Sequence, residues 1–116
     1  MRFEIFAHGG TVPMELRAYA ESRVGMAVHR AAERLSFVGV RLRREDAGAT
    51  DSPVRCQVEA WIRGLGVVTA AHADPDTYVA IDRAAALLEQ ALLRKLRAAD
   101  AAGVDEQELY AEATSS

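Results

Sequence analysis

From Val54 to Arg63 the side chains alternate without a break: Val54, Cys56, Val58, Ala60 and Ile62 fall to one side, and Arg55, Gln57, Glu59, Trp61 and Arg63 to the other. Period two over this length is the signature of a strand with one buried and one exposed face, and it rules out a helix, where neighbours on a face lie three and four residues apart. A half-buried strand is an antiparallel trait and calls for partner strands and a covering layer. Gly64-Leu65-Gly66 leads into Val67 to Ala73 and predicts a hairpin. Upstream, Phe37 to Arg44 reads as a strand, separated from Val54 by the turn-forming stretch Glu45 to Pro53. Arg2 to Ala7 alternates up to Phe6 and reads as a first strand ending at Gly9-Gly10.

The covering layer is supplied by two segments of helical period. Leu16, Ala20, Val24, Ala27, Ala31 and Leu35 recur at steps of three and four and predict one helix from Pro13 to Leu35, with Pro13 in its first turn. Asp74-Pro75 is a helix start. Tyr78, Ile81, Ala85, Leu88, Leu92 and Leu96 then share a face to an end near Ala99, and Arg94, Lys95 and Arg97 sit where cations complement the helix dipole. The order β-α-β-β-β-α is satisfied by an α+β domain: a four-stranded, mainly antiparallel sheet with both helices packed on one face. The other face stays open to solvent or a partner.

A chain of 116 residues supports one hydrophobic core, and half its residues are apolar, as a self-folding globular domain requires. The longest nearly uncharged stretch, Leu65 to Ala73, is far short of the roughly 20 residues of a membrane span. The first seven residues lack the basic and apolar regions of a secretory signal, and Cys56, the single cysteine, has no internal disulfide partner. A cytoplasmic protein without membrane contact is expected. The net charge of −3 is unevenly spread: residues 1 to 99 hold all 14 Lys and Arg against 12 acids, whereas residues 100 to 116 hold five acids and no base. The expected organisation is a mildly basic domain over 1–99 and a flexible acidic tail over 100–116.

Two stretches resemble the short ribosome hibernation-promoting factors and ribosome-associated inhibitors of the sigma-54 modulation protein family. Ala7 to Ala20, A-H-G-G-T-V-P-M-E-L-R-A-Y-A, is similar to a strand-end histidine and glycine followed by a helix with Leu-Arg-x-Tyr. Asp74 to Asp82, D-P-D-T-Y-V-A-I-D, followed by L-L-E-Q-A-L-L-R-K, resembles the family's Asp-x-Tyr-x-Ala-Ile-Asp and the helix after it. The resemblance spans about residues 1 to 98. It implies a factor that docks on the small ribosomal subunit, in the RNA-lined channel used by messenger and transfer RNA, and silences translation through basic side chains. Leu87 and Leu96 stand where the family has basic residues.

On a helical projection Arg23, Arg30 and Arg34 form one stripe, and Arg83, Arg94 and Arg97 another, so two adjacent helices would flank a groove suited to phosphates. With Lys95 these are the candidate RNA-binding residues; the same stripes also fit a solvated helix flank. Arg41, Arg43, Arg55, Trp61 and Arg63 share the open sheet face, where Trp61 serves either base stacking or cross-strand packing and dimer contact. An alternative function is therefore a homodimeric or protein-binding module without strong RNA affinity, which Leu87, Leu96 and the acidic tail favour. A tail folded over the groove is a third arrangement.

No enzyme motif is present. His8, His29 and His72 lie on three separate elements without metal-ligand spacing, and His8-Gly9-Gly10 lacks a nucleophile elbow to serve. Cys56 is expected to be a buried apolar side chain. Neither a cofactor, a metal nor a small-molecule substrate is implied.

Overall fold

The computed structural model describes residues 1–46 and 48–102. The elements are β1 (Arg2–Ala7), α1 (Met14–Val28), a 3-10 helix (His29–Arg34), β2 (Leu35–Arg44), β3 (Val54–Ile62), β4 (Gly66–Asp74) and α2 (Thr77–Ala101). The four strands form one sheet in chain order. β2, β3 and β4 are antiparallel neighbours, whereas β1 pairs parallel to β2, so the sheet is mixed. A parallel pair needs a crossover, and α1 with the 3-10 helix supplies it.

The register stacks Ile5, Val40 and Val58 in one row of the covered face, and Val38, Ala60 and Val68 in another. These side chains are buried against Ala20, Val24 and Val28 of α1 and Ile81, Leu88 and Leu92 of α2, giving a single core. Each large aliphatic side chain withdrawn completely from water contributes about 1.5–3 kcal/mol. Cys56 belongs to this core, where burial pushes its thiol up to about 12.

Three local departures from the sequence reading have physical causes. The first helix is not one rod from Pro13 to Leu35. It is α-helical to Val28 and then winds more tightly as a 3-10 helix, which releases Leu35 to open β2. Pro13 precedes the first helical residue as its cap, in extended backbone. At the start of β2, Leu35 pairs with Ile62 and Phe37 with Trp61, so Ser36 is an extra residue, a β-bulge. The bulge reverses the alternation: Leu35 and Val38 both enter the core and Phe37 lies on the open face.

The second helix starts after Asp76, whose Oδ1 accepts from the Tyr78 N–H at 2.9 Å. Asp74 closes the preceding turn instead, accepting from the Asp76 N–H at 2.9 Å. The helix runs to Ala101, two residues beyond the expected end, and so takes Asp100 out of the predicted tail. Residues 103–116, and with them the flexible-tail and tail-over-groove expectations, lie outside the described residues. Gly64 and Gly66 carry the positive φ values, 77° and 88°, that reverse the chain between β3 and β4.

Candidate nucleic-acid interface

Both helices cover the same sheet face and run in the same direction, with the start of α1 beside the start of α2. Four side chains join them there. The Tyr19 hydroxyl donates to Asp82 Oδ1, and the Tyr19 and Tyr78 rings meet edge to face at 4.8 Å and 71°. Arg23 approaches the same carboxylate, Nε to Oδ1 at 3.4 Å, and its Nη2 donates to the Asp82 carbonyl at 3.3 Å. Accepting from Tyr19 commits Asp82 to holding the phenol proton, so the Tyr19 pKa is raised; burial and the negative charge of Asp82 act in the same direction.

The seven candidate cations divide by environment. Arg23 is half-buried and engaged by Asp82, and Arg34 is half-buried with Nη1 at 3.8 Å from Asp100 Oδ1. Arg30, Arg83, Arg94, Lys95 and Arg97 are exposed and make no ion pair among the described residues. The straight Arg23-Arg30-Arg34 stripe is broken by the change of winding. With three residues per turn, a step of four in a 3-10 helix is a turn and a third, so Arg30 and Arg34 diverge by roughly 120°. Arg34 turns in toward Asp100 while Arg30 stays in solvent. On α2 the line Arg83, Arg94 and Arg97 is intact, Lys95 stands about 100° around the helix from Arg94, and Leu87, 43% exposed, interrupts the line one turn after Arg83.

The open sheet face reads in rows across the strands. Phe37, Trp61 and Val67 form an apolar row, with the Arg2 guanidinium 4.9 Å above the Phe37 ring. Trp61 thus has cross-strand aromatic and aliphatic neighbours. Further along come Glu59 beside Gly39, Gln57 beside Arg41, and Arg55 beside Arg43. Arg63 is not part of this face. It lies past the end of β3, its N–H donates to the Arg34 carbonyl at 2.9 Å, and its guanidinium donates to the Glu33 carbonyl. His72 faces Cys56 from β4 on the covered side, while His8 and His29 are exposed, and no metal-ligand group forms among the described residues.

A family model described as Sigma 54 modulation protein / S30EA ribosomal protein matches residues 3–98, from the first strand to the last turn of α2. The chain belongs to this family. The Protein Y N-terminal domain of Thermus thermophilus superposes with a TM-score of 0.66 at 25% identity, over 81% of this chain and 98% of that one. A ribosomal subunit interface protein from Coxiella burnetii gives a TM-score of 0.68 at 18% identity, over 84% and 99% of the two chains, a likeness of fold. No curated protein sequence matches the chain significantly.

Within the family frame, the two motifs visible in the sequence meet in space. Tyr19 ends the Leu-Arg-x-Tyr segment, and Tyr78 and Asp82 belong to Asp-x-Tyr-x-Ala-Ile-Asp. Their junction holds the helix pair together. The sequence pattern puts Tyr78 on the packed face of the second helix and gives Tyr19 and Asp82 no role. The signal was a tyrosine in each motif and an aspartate closing the second, with nothing to say that they are partners.

Proposed function

We propose that the chain is a ribosome-binding hibernation factor, a cytoplasmic protein that docks on the small subunit through basic side chains of its helices and acts by occupancy, without catalysis. The observation that carries this reading is the set Arg30, Arg83, Arg94, Lys95 and Arg97, cations left exposed and without acidic partners among the described residues in a chain of a ribosome-associated family. Guanidinium groups held free of internal ion pairs are available to phosphate, and each contact releases counterions from the nucleic acid. Arg23 and Arg34 have a different part in this scheme. Their ion pairs with α2 hold the two helices in register, and any phosphate contact they make is shared with Asp82 and Asp100.

Co-sedimentation with small ribosomal subunits over a salt series tests the reading. Saturable, salt-sensitive binding is expected, and an Arg30→Ala/Arg83→Ala/Arg94→Ala variant should lose most of it, with the slope of log K against log salt reduced by about two. Absence of binding at low salt, or a variant that binds like the parent, overturns it.

A second reading is a homodimeric or protein-binding module. The apolar row Phe37, Trp61 and Val67 favours it, with Trp61 44% and Val67 39% exposed beside the edge strand β4. Sedimentation of the free protein separates the two: a dimer dispersed by Trp61→Lys supports this second reading.

A further inference from the structure

Positive charge accumulates at the end of the open sheet face nearest Gly9. Arg43 and Arg55 stand directly opposite each other in the β2-β3 register, where like charges repel and destabilise the pair. The His8 N–H donates to the Leu42 carbonyl at 2.9 Å, which sets His8 at the end of the same row. Arg41 lies two residues along β2, about 7 Å from Arg43 at the usual strand rise. Among the described residues none of these three arginines makes an ion pair. Arg44, on the covered side, donates instead to the Ser52 carbonyl at 2.7 Å. Glu45 borders the adjoining depression with Arg43 and Arg55 but bridges neither. Phe6, opposite Arg41 and 53% exposed, forms the apolar wall of a half-open concavity of about 560 Å³, closed on its other sides by His8, Arg41, Arg43, Arg55 and Gln57.

We propose that this concavity binds single-stranded RNA, with a phosphate between Arg43 and Arg55 and a base against the ring of Phe6. A pair of facing guanidinium groups is stabilised by an anion placed between them, and the planar fork of each suits phosphate oxygens. An acidic protein surface would meet the charge but leaves the exposed aromatic wall and the Gln57 amide without a role. Together those are what a splayed base requires, a π face and a hydrogen-bonding edge. A duplex keeps its bases stacked inside, so the strand must be single. The trough is too open to enclose a free nucleotide, since small-molecule sites bury most of their ligand. This site goes beyond the helix-face reading and shares no residue with it, so either can fail alone.

Fluorescence anisotropy of a labelled twelve-uridine RNA with the full chain tests the inference. Arg43→Ala/Arg55→Ala should weaken binding at least tenfold and flatten its salt slope by about 1.4, the release expected for two phosphates on a single strand. Phe6→Ala should weaken it roughly 5- to 150-fold and leave the salt slope unchanged, as loss of one stacked base does. Arg55→Glu supplies a folding control: it converts a repulsive cross-strand pair to an attractive one, so Tm should rise while RNA binding is lost. Gln90→Ala, exposed on α2 and outside both sets of cations, should bind the uridine strand like the parent. No binding at low salt, binding indifferent to the Arg43 and Arg55 substitutions, or competition by uridine monophosphate at the oligomer's own concentration would overturn the proposal.

Discussion

The hydroxyl of Tyr19 and the carboxylate of Asp82, 63 residues apart in the chain, form the hydrogen bond that ties the first helix to the second. With Arg23 on the same carboxylate, Asp82 is a shared hub, so the two contacts should not be independent. Tyr19→Phe should cost about 1 kcal/mol of unfolding free energy, a typical net value for one hydrogen bond. Asp82→Ala should cost more, because it also removes the partner of Arg23. Urea denaturation of the single and double variants checks this: a coupling energy near zero would mean that the bond contributes nothing to stability.

Helix α2 depends on Asp76, not Asp74, for its amino-terminal cap. Asp76→Ala should therefore destabilise the domain by about 1 kcal/mol, and Asp74→Ala, which opens only the preceding turn, by less. Thermal unfolding of the two variants distinguishes them, and the reverse ranking would return the cap to Asp74.

Alkaline pH should unfold the protein through Cys56. Its thiol titrates at about 12 in the fold against 9.0 in a free chain, so the native state keeps a proton that the unfolded state releases. The stabilisation is complete below pH 9 and is lost as pH rises toward 12, by up to about 1.4 kcal/mol per pH unit. The raised pKa of Tyr19 adds a loss of the same sign above its ordinary value of 10.0. Cys56→Ala should flatten the alkaline limb of a stability-pH curve, and an unchanged limb would show that the thiol is not its source.

Leu87 interrupts the arginine line of α2 from an exposed position outside the buried core, so replacing it leaves the core intact. If the helices meet ribosomal RNA, Leu87→Lys should tighten binding to small subunits and steepen its salt dependence by about one contact's worth. Unaltered affinity would put this part of α2 outside the interface.

How far the chain could be read in advance depended on whether a residue's fate is local. The alternation of Val54 to Ile62 and the 3.6-residue face of α2 are local, and the sequence locates both to within a residue or two. The end of α1 at Val28 is not, because Ala31 and Leu35 prolong the same apolar spacing through the 3-10 turn and into β2. The Ser36 bulge was equally hidden, since two outward residues in succession look like the beginning of a strand. For the site, exposure of Arg83 and Arg94 followed from the amphipathic pattern. The pairing of Arg23 with Asp82, 59 residues away, depended on how the two helices lie together. The Arg43-Arg55 pair required the exact β2-β3 register, which the nine-residue loop between the strands leaves open.

The parallel attachment of β1 bears on the order in which the molecule assembles. β2, β3, β4 and α2 join neighbours in the chain through turns and one loop, so their contacts close short loops and form early. β1 finds its place only after the intervening helix has crossed the sheet, and it touches one strand alone. β1, although it precedes the other elements in the chain, is thus the last to be secured. The amides of β1 should exchange with solvent through partial openings that leave the hairpins intact, while those at the centre of β3 should await global unfolding.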